Sequence, residues 1–300
     1  MRVRKRYDHK NDVTLHEGDC LQLLRRIPDC AAQLVLTSPP YNIGKEYEQN
    51  LTLDQYLDLQ RLVIRECIRI TGRGGSICWQ VGHHVNSHGQ VIPLDLLLHP
   101  LFAEHEKADG LYLRNRIVWH FEHGLNCRKR FSGRHETVLW YSVGKRYTFN
   151  LDAVRVPQKY PGKRAYKGKR KGTYSCNPLG KNPGDVWIIP NVKSKHPEKT
   201  EHPCQFPLEL AERLILALTD EGDFVVDPFL GVGTTAVAAV LHGRKAAGAD
   251  IIVKYLEIAR KRLKEALKGR LPRRPFGKPV YEPPPNTSLT TSPFSSINPP

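Results

Sequence analysis

No apolar run in the 300 residues approaches the ~18 positions that a membrane-spanning helix needs, and mean hydropathy is −0.47. The opening Met1–Lys10 is basic, but no apolar segment follows it, so a secretory signal is not expected. Cys-x-x-Cys is missing. The seven cysteines (Cys20, Cys30, Cys67, Cys78, Cys127, Cys176, Cys204) are odd in number and widely spaced, which points to reduced, mostly buried thiols in a reducing compartment. His83-His84 and the other histidines lack ligand spacing, so no metal is expected. Internal repeats are absent as well. With 40% apolar residues, the chain has enough to bury one sizeable domain, with or without an inserted subdomain.

Acids are scarce. Thirty Asp and Glu face 46 Lys and Arg, for a formal net charge of +16. An enzyme of small metabolites has no need of that excess. A polyanion partner explains it, because basic side chains that meet phosphates release condensed counterions. The imbalance concentrates between Arg155 and Lys199, where twelve basic residues are opposed by Asp185 and Glu198 alone, a local net of +10. Tyr160, Tyr166, Tyr174 and Trp187 are interleaved with them, and Gly and Pro are frequent. That stretch reads as a loop-rich, exposed insert.

Elsewhere the hydrophobic pattern is regular. Val13–His16, 33–36, 76–81, 111–121, 136–143, 223–226 and 245–250 read as strands; 52–71, 93–106, 207–219, 234–242 and 253–268 read as helices. A shorter helical pattern carries Leu21, Leu24 and Ile27 and stops at Pro28, and the glycines of 72–75 are expected to break the chain after the long helix. Alternation of this kind implies an α/β fold, a mostly parallel sheet with helices on both faces. The runs 111–121 and 136–143, separated by a loop alone, suggest an antiparallel pair at one sheet edge. From Leu271 the chain is rich in Pro, Ser and Thr and is expected to be disordered and dispensable.

Two segments carry chemistry. In the first, Phe224-Val225-Val226 ends in Asp227-Pro228, Gly231 and Gly233 follow, and Thr234-Thr235 open a helix. Glycines there permit a sharp turn and close approach of a ligand to free helix-terminal amides. Gly231-x-Gly233-x-x-Ala236 satisfies the Gly/Ala form of the dinucleotide fingerprint, and Asp250 ends the next strand nineteen residues after Gly231, where a carboxylate can accept ribose hydroxyls. Asp227 beside the turn disfavours a pyrophosphate and suits a sulfonium with an amino-acid tail, so S-adenosylmethionine is expected rather than NAD.

The second segment is Thr37-Ser38-Pro39-Pro40-Tyr41. The exocyclic amine of cytosine or adenine is a poor nucleophile, because its lone pair is delocalised into the ring. The Ser38 Oγ and the Pro39 carbonyl can accept from both N–H groups and steer the nitrogen toward sp³ character. Two prolines stiffen the loop, and Tyr41 offers a face for a base taken out of the duplex.

With those motifs in that order, the chain resembles the bacterial DNA amino-methyltransferases, in the class whose catalytic motif precedes the cofactor motif. The resemblance covers most of 10–268 and includes Gly18-Asp19, Gly184-Asp185-Val186-Trp187, His202-Pro203 and Phe206-Pro207. It implies a circularly permuted Rossmann-like methyltransferase sheet. On that pattern 10–150 is the catalytic half, 151–202 the target-recognition insert, 203–270 the cofactor-binding half and 271–300 the tail. Ser38, Pro39, Pro40 and Tyr41 would be catalytic. The cofactor would lie among Asp19, Thr37, Phe206, Pro207, Asp227, Pro228, Phe229, Gly231, Gly233, Thr234 and Asp250, with Asp19 on the adenine amine and Asp250 on the ribose. Arg128, Lys129, Arg130, Lys163, Arg164, Lys167, Lys169, Arg170 and Lys171 would contact DNA.

Within the family, Ser at position 38 is typical of cytosine-N4 methylation and Asp of adenine N6. The expected activity is therefore transfer of a methyl group to N4 of a flipped cytosine in a short duplex sequence, within a restriction–modification system and in the prokaryotic cytoplasm. A restriction endonuclease of the same sequence specificity would be its functional partner. Adenine N6 methylation by the same site stays open, as do a non-catalytic nucleic-acid-binding protein of the same fold and a monomer or homodimer. After Asp250 the family often has Pro or Asn, whereas Ile251-Ile252-Val253 stands here.

Overall fold

The computed structural model describes residues 1–41, 51–86, 88–124, 126–288 and 290–291. In chain order the elements are β1 (Val3–Arg4), β2 (Val13–Glu17), α1 (Cys20–Leu24), β3 (Ala32–Thr37), α2 (Leu53–Ile70), β4 (Thr71–Val81), β5 (His83–Val85), β6 (Val91–Pro93), α3 (Leu94–Ala103), β7 (Leu111–His120), β8 (His135–Val143), a 3₁₀ turn (Leu151–Val154), β9 (Val186–Ile188), α4 (Leu208–Leu218), β10 (Phe224–Asp227), α5 (Thr234–Leu241), β11 (Lys245–Asp250) and α6 (Val253–Leu267).

Nine strands form one sheet in the order β1-β2-β11-β10-β3-β4-β8-β7-β9. The antiparallel pair expected near one edge is β7–β8. Within it β8 alone runs against the rest, and β9 adds a strand parallel to β7 outside the pair. β5 and β6 make a separate two-stranded ribbon.

Period-2 alternation assigns each strand's side chains to two cores. Leu34, Leu36, Val225, Val138 and Trp140 face α4, α5 and α6, together with Leu214, Val237 and Leu263. Their neighbours Val35, Val226, Leu139 and Tyr141 face α1, α2 and α3, with Leu23, Ile64 and Leu98. Helix α2 begins at a capping box in which Thr52 accepts from the Gln55 amide and Gln55 accepts from the Thr52 amide. It buries Tyr56, Val63, Ile64 and Cys67 along one face.

Three expectations change. Gly72–Gly75 does not break the chain but lies inside β4, where it forms the bulge opposite Gln33 of β3; a Cβ on Gly75 would stand 2.8 Å from the Gln33 carbonyl, so glycine admits the close pairing. Of the cysteines, which are all free thiols, Cys20, Cys67 and Cys78 are buried, while Cys30 and Cys204 are exposed. The tail is docked over its first residues. Leu271 packs on the core, Arg273 donates to Glu212 at 2.5 Å, the Arg274 amide donates to Glu198 at 3.1 Å and its guanidinium pairs with Glu209. Those contacts satisfy buried carboxylates, and that is why the segment is held despite its Pro-rich composition. Residues 292–300 lie outside the described residues.

Candidate active site

The C-terminal ends of β2, β11, β10 and β3 stand side by side, because these four strands are adjacent and parallel. The connection after β10 leads to one side and that after β3 to the other, so the β10/β3 junction is a topological switch point, the place where open α/β sheets bind ligands. A cleft of about 1350 Å³, counted with its open mouth, lies there. Its wall brings together Gly18, Asp19, Ser38, Pro39, Pro40, Tyr41, Phe206, Pro228, Phe229, Gly231, Thr234 and Asp250 from five regions of sequence.

Not every expected residue faces the cleft. Asp227 is buried and turned inward; its carboxylate accepts from Thr37 Oγ1 and Thr235 Oγ1, each at 2.6 Å, and from the Phe229 amide at 3.1 Å. Burial pushes this carboxyl up to about 6 while those three donors pull it down. Hydrogen bonds to a charged group are worth about 1.5–3 kcal/mol each, enough to hold an acid in the core. Thr37 and Asp227 therefore tie β3 to β10 behind the site, and the inference from Asp227 to a sulfonium loses its footing. Gly233 also lies behind the wall, with φ +78 and α6 so close that a Cβ would come within 2.7 Å of the Ala259 methyl. Pro207 lies outside the wall, at the N-cap of α4.

Asp250 does face the cleft. Its Oδ2 accepts from the Gly231 amide at 2.9 Å and its Oδ1 from the Ile252 amide at 2.7 Å. Each carboxylate oxygen has a further lone pair, so the group can still receive two hydroxyls, as a ribose diol requires. Gly231 has φ +52, and a Cβ there would press on His202 Nε2 at 3.2 Å. Behind the turn, the buried Arg262 donates to the Val232 carbonyl at 2.8 Å and to Thr234 Oγ1 at 3.1 Å. Asp19 caps α1 by accepting from the Leu21 amide at 2.7 Å through one oxygen, leaving the other for a ligand amine. An adenosine nucleoside with a short amino-acid tail fits this set: hydroxyl acceptors at Asp250, an amine acceptor at Asp19 and aromatic faces at Phe206 and Phe229.

Residues that sequence reasoning missed complete the other half. Tyr41 Oη lies 3.3 Å from Ser38 Oγ and donates to Glu136 Oε2 at 3.2 Å, and Gln80 Nε2 donates to the same oxygen. Gly82 makes room, since a Cβ there would stand 3.1 Å from the Tyr41 ring. Burial raises the Glu136 carboxyl above its ordinary value, opposed by Gln80 and Tyr41. Because the Tyr41 proton points to Glu136, the Ser38 hydroxyl donates to Tyr41 and keeps its own lone pairs for a substrate. On the opposite wall His202 packs against Tyr255 with ring centroids 4.6 Å apart, and burial, with Lys199 and Arg262 near, lowers it to about 4. His202 is thus a neutral ring at physiological pH. Glu136 and Gln80 left no signal in sequence, whereas His202 belongs to a motif that was noted.

The expected phosphate contacts fall in two places. Arg128, Lys129 and Arg130 are exposed on the β7–β8 loop, which reaches the same sheet edge as the cleft because β8 is reversed. Lys163, Arg164, Lys167, Lys169, Arg170 and Lys171 are exposed in the insert, where Arg164 stacks on Tyr174 at 4.2 Å. That insert leads into β9, four strands from β3, or roughly 19 Å at the usual strand spacing. Among the described residues no helix is long and apolar enough to cross a membrane.

Comparison with known proteins identifies the family. A family model described as DNA methylase matches residues 32–261. The chain is 47% identical over 251 residues to the Type II methyltransferase M.BglII of Bacillus subtilis, covering 84% of this chain and 68% of that protein. It is 34% identical over 255 residues to the DNA adenine methyltransferase YhdJ of Escherichia coli strain K12, covering 83% and 82%. Among solved structures, the PvuII cytosine-N4-specific DNA methyltransferase shares the fold with a TM-score of 0.66 at 19% identity, covering 89% of this chain and 94% of that one. A putative DNA modification methylase from Thermus thermophilus, complexed with S-adenosyl-L-methionine, superposes with a TM-score of 0.58 at 27% identity, covering 85% and 94%. Taken with the cleft at the switch point, these matches place the chain in the DNA methylase family of bacterial amino-methyltransferases, enzymes that use S-adenosyl-L-methionine.

Proposed function

We propose that the chain methylates the exocyclic N4 of a cytosine rotated out of a short, specific duplex sequence, as the protective member of a restriction–modification system. The observation that carries this reading is the junction of Ser38 and Tyr41 with the adenosine-shaped cleft. Asp19, Phe229 and Asp250 would hold S-adenosylmethionine, which when bound would supply an electrophilic methyl group and leave as S-adenosylhomocysteine. Tyr41 stacks on the extruded base. Ser38 Oγ and the Pro39 carbonyl accept the two amine hydrogens and localise the nitrogen lone pair, and the proton lost on methylation leaves through one of those acceptors to water. Positioning of this kind supplies most of the rate in a direct displacement.

A neutral Ser38 in place of an acid supports cytosine. The similarity to a DNA adenine methyltransferase at 34% identity supports the second reading, adenine N6 by the same acceptors. Incubating the protein with labelled S-adenosylmethionine and mixed genomic DNA, then digesting to nucleosides, separates them by mass. N4-methylcytosine is expected. N6-methyladenine would overturn the base assignment and keep the mechanism, while an unmethylated digest would overturn the reading.

A further inference from the structure

Phe131 follows Arg128, Lys129 and Arg130 on the loop between β7 and β8, and its side chain is 100% exposed. A lone exposed apolar residue is ordinary in itself; the position of this one is not. The sheet runs β3-β4-β8-β7-β9 across this side, so the loop stands between the Ser38–Tyr41 site on β3 and the basic insert that enters at β9. A duplex that places a base on Tyr41 and touches the insert must cross it.

The base of the loop is joined to the site. Glu136, five residues after Phe131, receives the Tyr41 hydroxyl. Gly133 abuts His83, for a Cβ there would lie 3.2 Å from the imidazole Cε1, and His83 follows Gly82, which packs on the Tyr41 ring. Five residues span at most about 18 Å, roughly half of the ~34 Å of one duplex turn, so Phe131 is held within a turn of the extruded base.

Extrusion leaves a gap in the stack and an unpaired partner base, and an apolar side chain that fills such a gap lowers the cost of unstacking. We infer that Phe131 is a wedge inserted into the base stack beside the extruded nucleotide, with Arg128, Lys129 and Arg130 on the flanking phosphates. This rests on the proposed base-extruding methylation of duplex DNA.

The test takes the sequence that the wild-type protein methylates, mapped by single-molecule sequencing of treated plasmid. Two short duplexes are made, one fully paired and one with a mismatched base opposite the target, where extrusion is already cheap. Phe131→Ala should slow single-turnover methylation of the paired duplex by about tenfold or more and that of the mismatched duplex by no more than roughly twofold. Phe131→Leu should fall between wild type and Phe131→Ala on the paired duplex. S-adenosylmethionine affinity should match wild type in both variants, showing that they are folded. Equal losses on the two duplexes, or no loss on either, overturn the wedge. A wild-type protein that methylates no duplex overturns the proposed function itself, and with it the wedge.

Discussion

Tyr41 and Glu136 are ninety-five residues apart in sequence and 3.2 Å apart in space, and the direction of their hydrogen bond decides what Ser38 can do. Tyr41 donates to the carboxylate, Ser38 donates to Tyr41, and the serine oxygen is left as an acceptor. Glu136→Gln offers an amide that can donate to Tyr41 and reverse the chain. We expect kcat to fall about tenfold or more, with S-adenosylmethionine affinity unchanged. In the wild type, kcat should decline as pH drops through the raised carboxyl value of Glu136, and that limb should be missing in the variant. A variant that keeps the limb would assign it to another group.

Ser38→Ala removes one acceptor and leaves the cofactor wall intact. Methylation should fall about 100-fold or more, by analogy with loss of a transition-state hydrogen bond, while S-adenosylmethionine titration gives a near-normal Kd. Loss of cofactor binding would move Ser38 to a structural role.

Asp227 makes stability depend on pH in a defined window. Its carboxyl titrates near 6 when folded and at an ordinary 3.8 when not. Between these values the folded protein holds a proton that the unfolded chain lacks, so this contribution is complete at the lower pH and is lost as pH rises to about 6. Asp227→Asn cannot titrate. Urea unfolding at a series of pH values should show wild-type stability declining relative to the variant by about 3 kcal/mol across the window. Parallel curves would refute the assignment.

Arg274 pairs with the buried Glu209, which also meets Arg213 at 3.2 Å. Arg274→Ala leaves Glu209 with Arg213 and the Gly277 amide and should cost about 2–3 kcal/mol, below the full loss seen for an orphaned buried charge. Denaturant midpoints would measure it. An unchanged midpoint would restore the view of the tail as dispensable.

Lys169, Arg170 and Lys171 are exposed and free of ion pairs among the described residues. Replacing all three with alanine should lower the slope of log K against log salt by up to about 2.7 if each meets a phosphate of duplex DNA. An unaltered slope would place the duplex elsewhere.

Much of this was legible because apolar periodicity marks strands and helices that bury one or both faces. The long helices, β10 and β11 fall within about three residues of their expected bounds. Strands β1, β5, β6 and β9 are two or three residues long, too short to carry a period. The glycines of 72–75 read as a break because sequence shows their freedom and not the neighbouring strand that exploits it. Glu136 reads as an ordinary strand residue, and only the pairing of β4 with β8 brings it to Tyr41. Asp227 was noticed for the right position and the wrong direction, since a turn sequence does not say which way a side chain points.

Strands β2 and β3 follow one another in the chain, but the sheet keeps two places open between them for β10 and β11. On a ribosome making about 5–20 residues per second, Thr37 is made roughly 10–40 s before Asp250. Throughout that interval the first half has two unpaired strand edges flanking a vacant slot, and the cofactor wall lacks the full set of Phe229, Gly231 and Asp250. The enzyme's competence therefore begins with its last strands, and a chain stalled before β11 would be a candidate for edge-to-edge association rather than a partial catalyst.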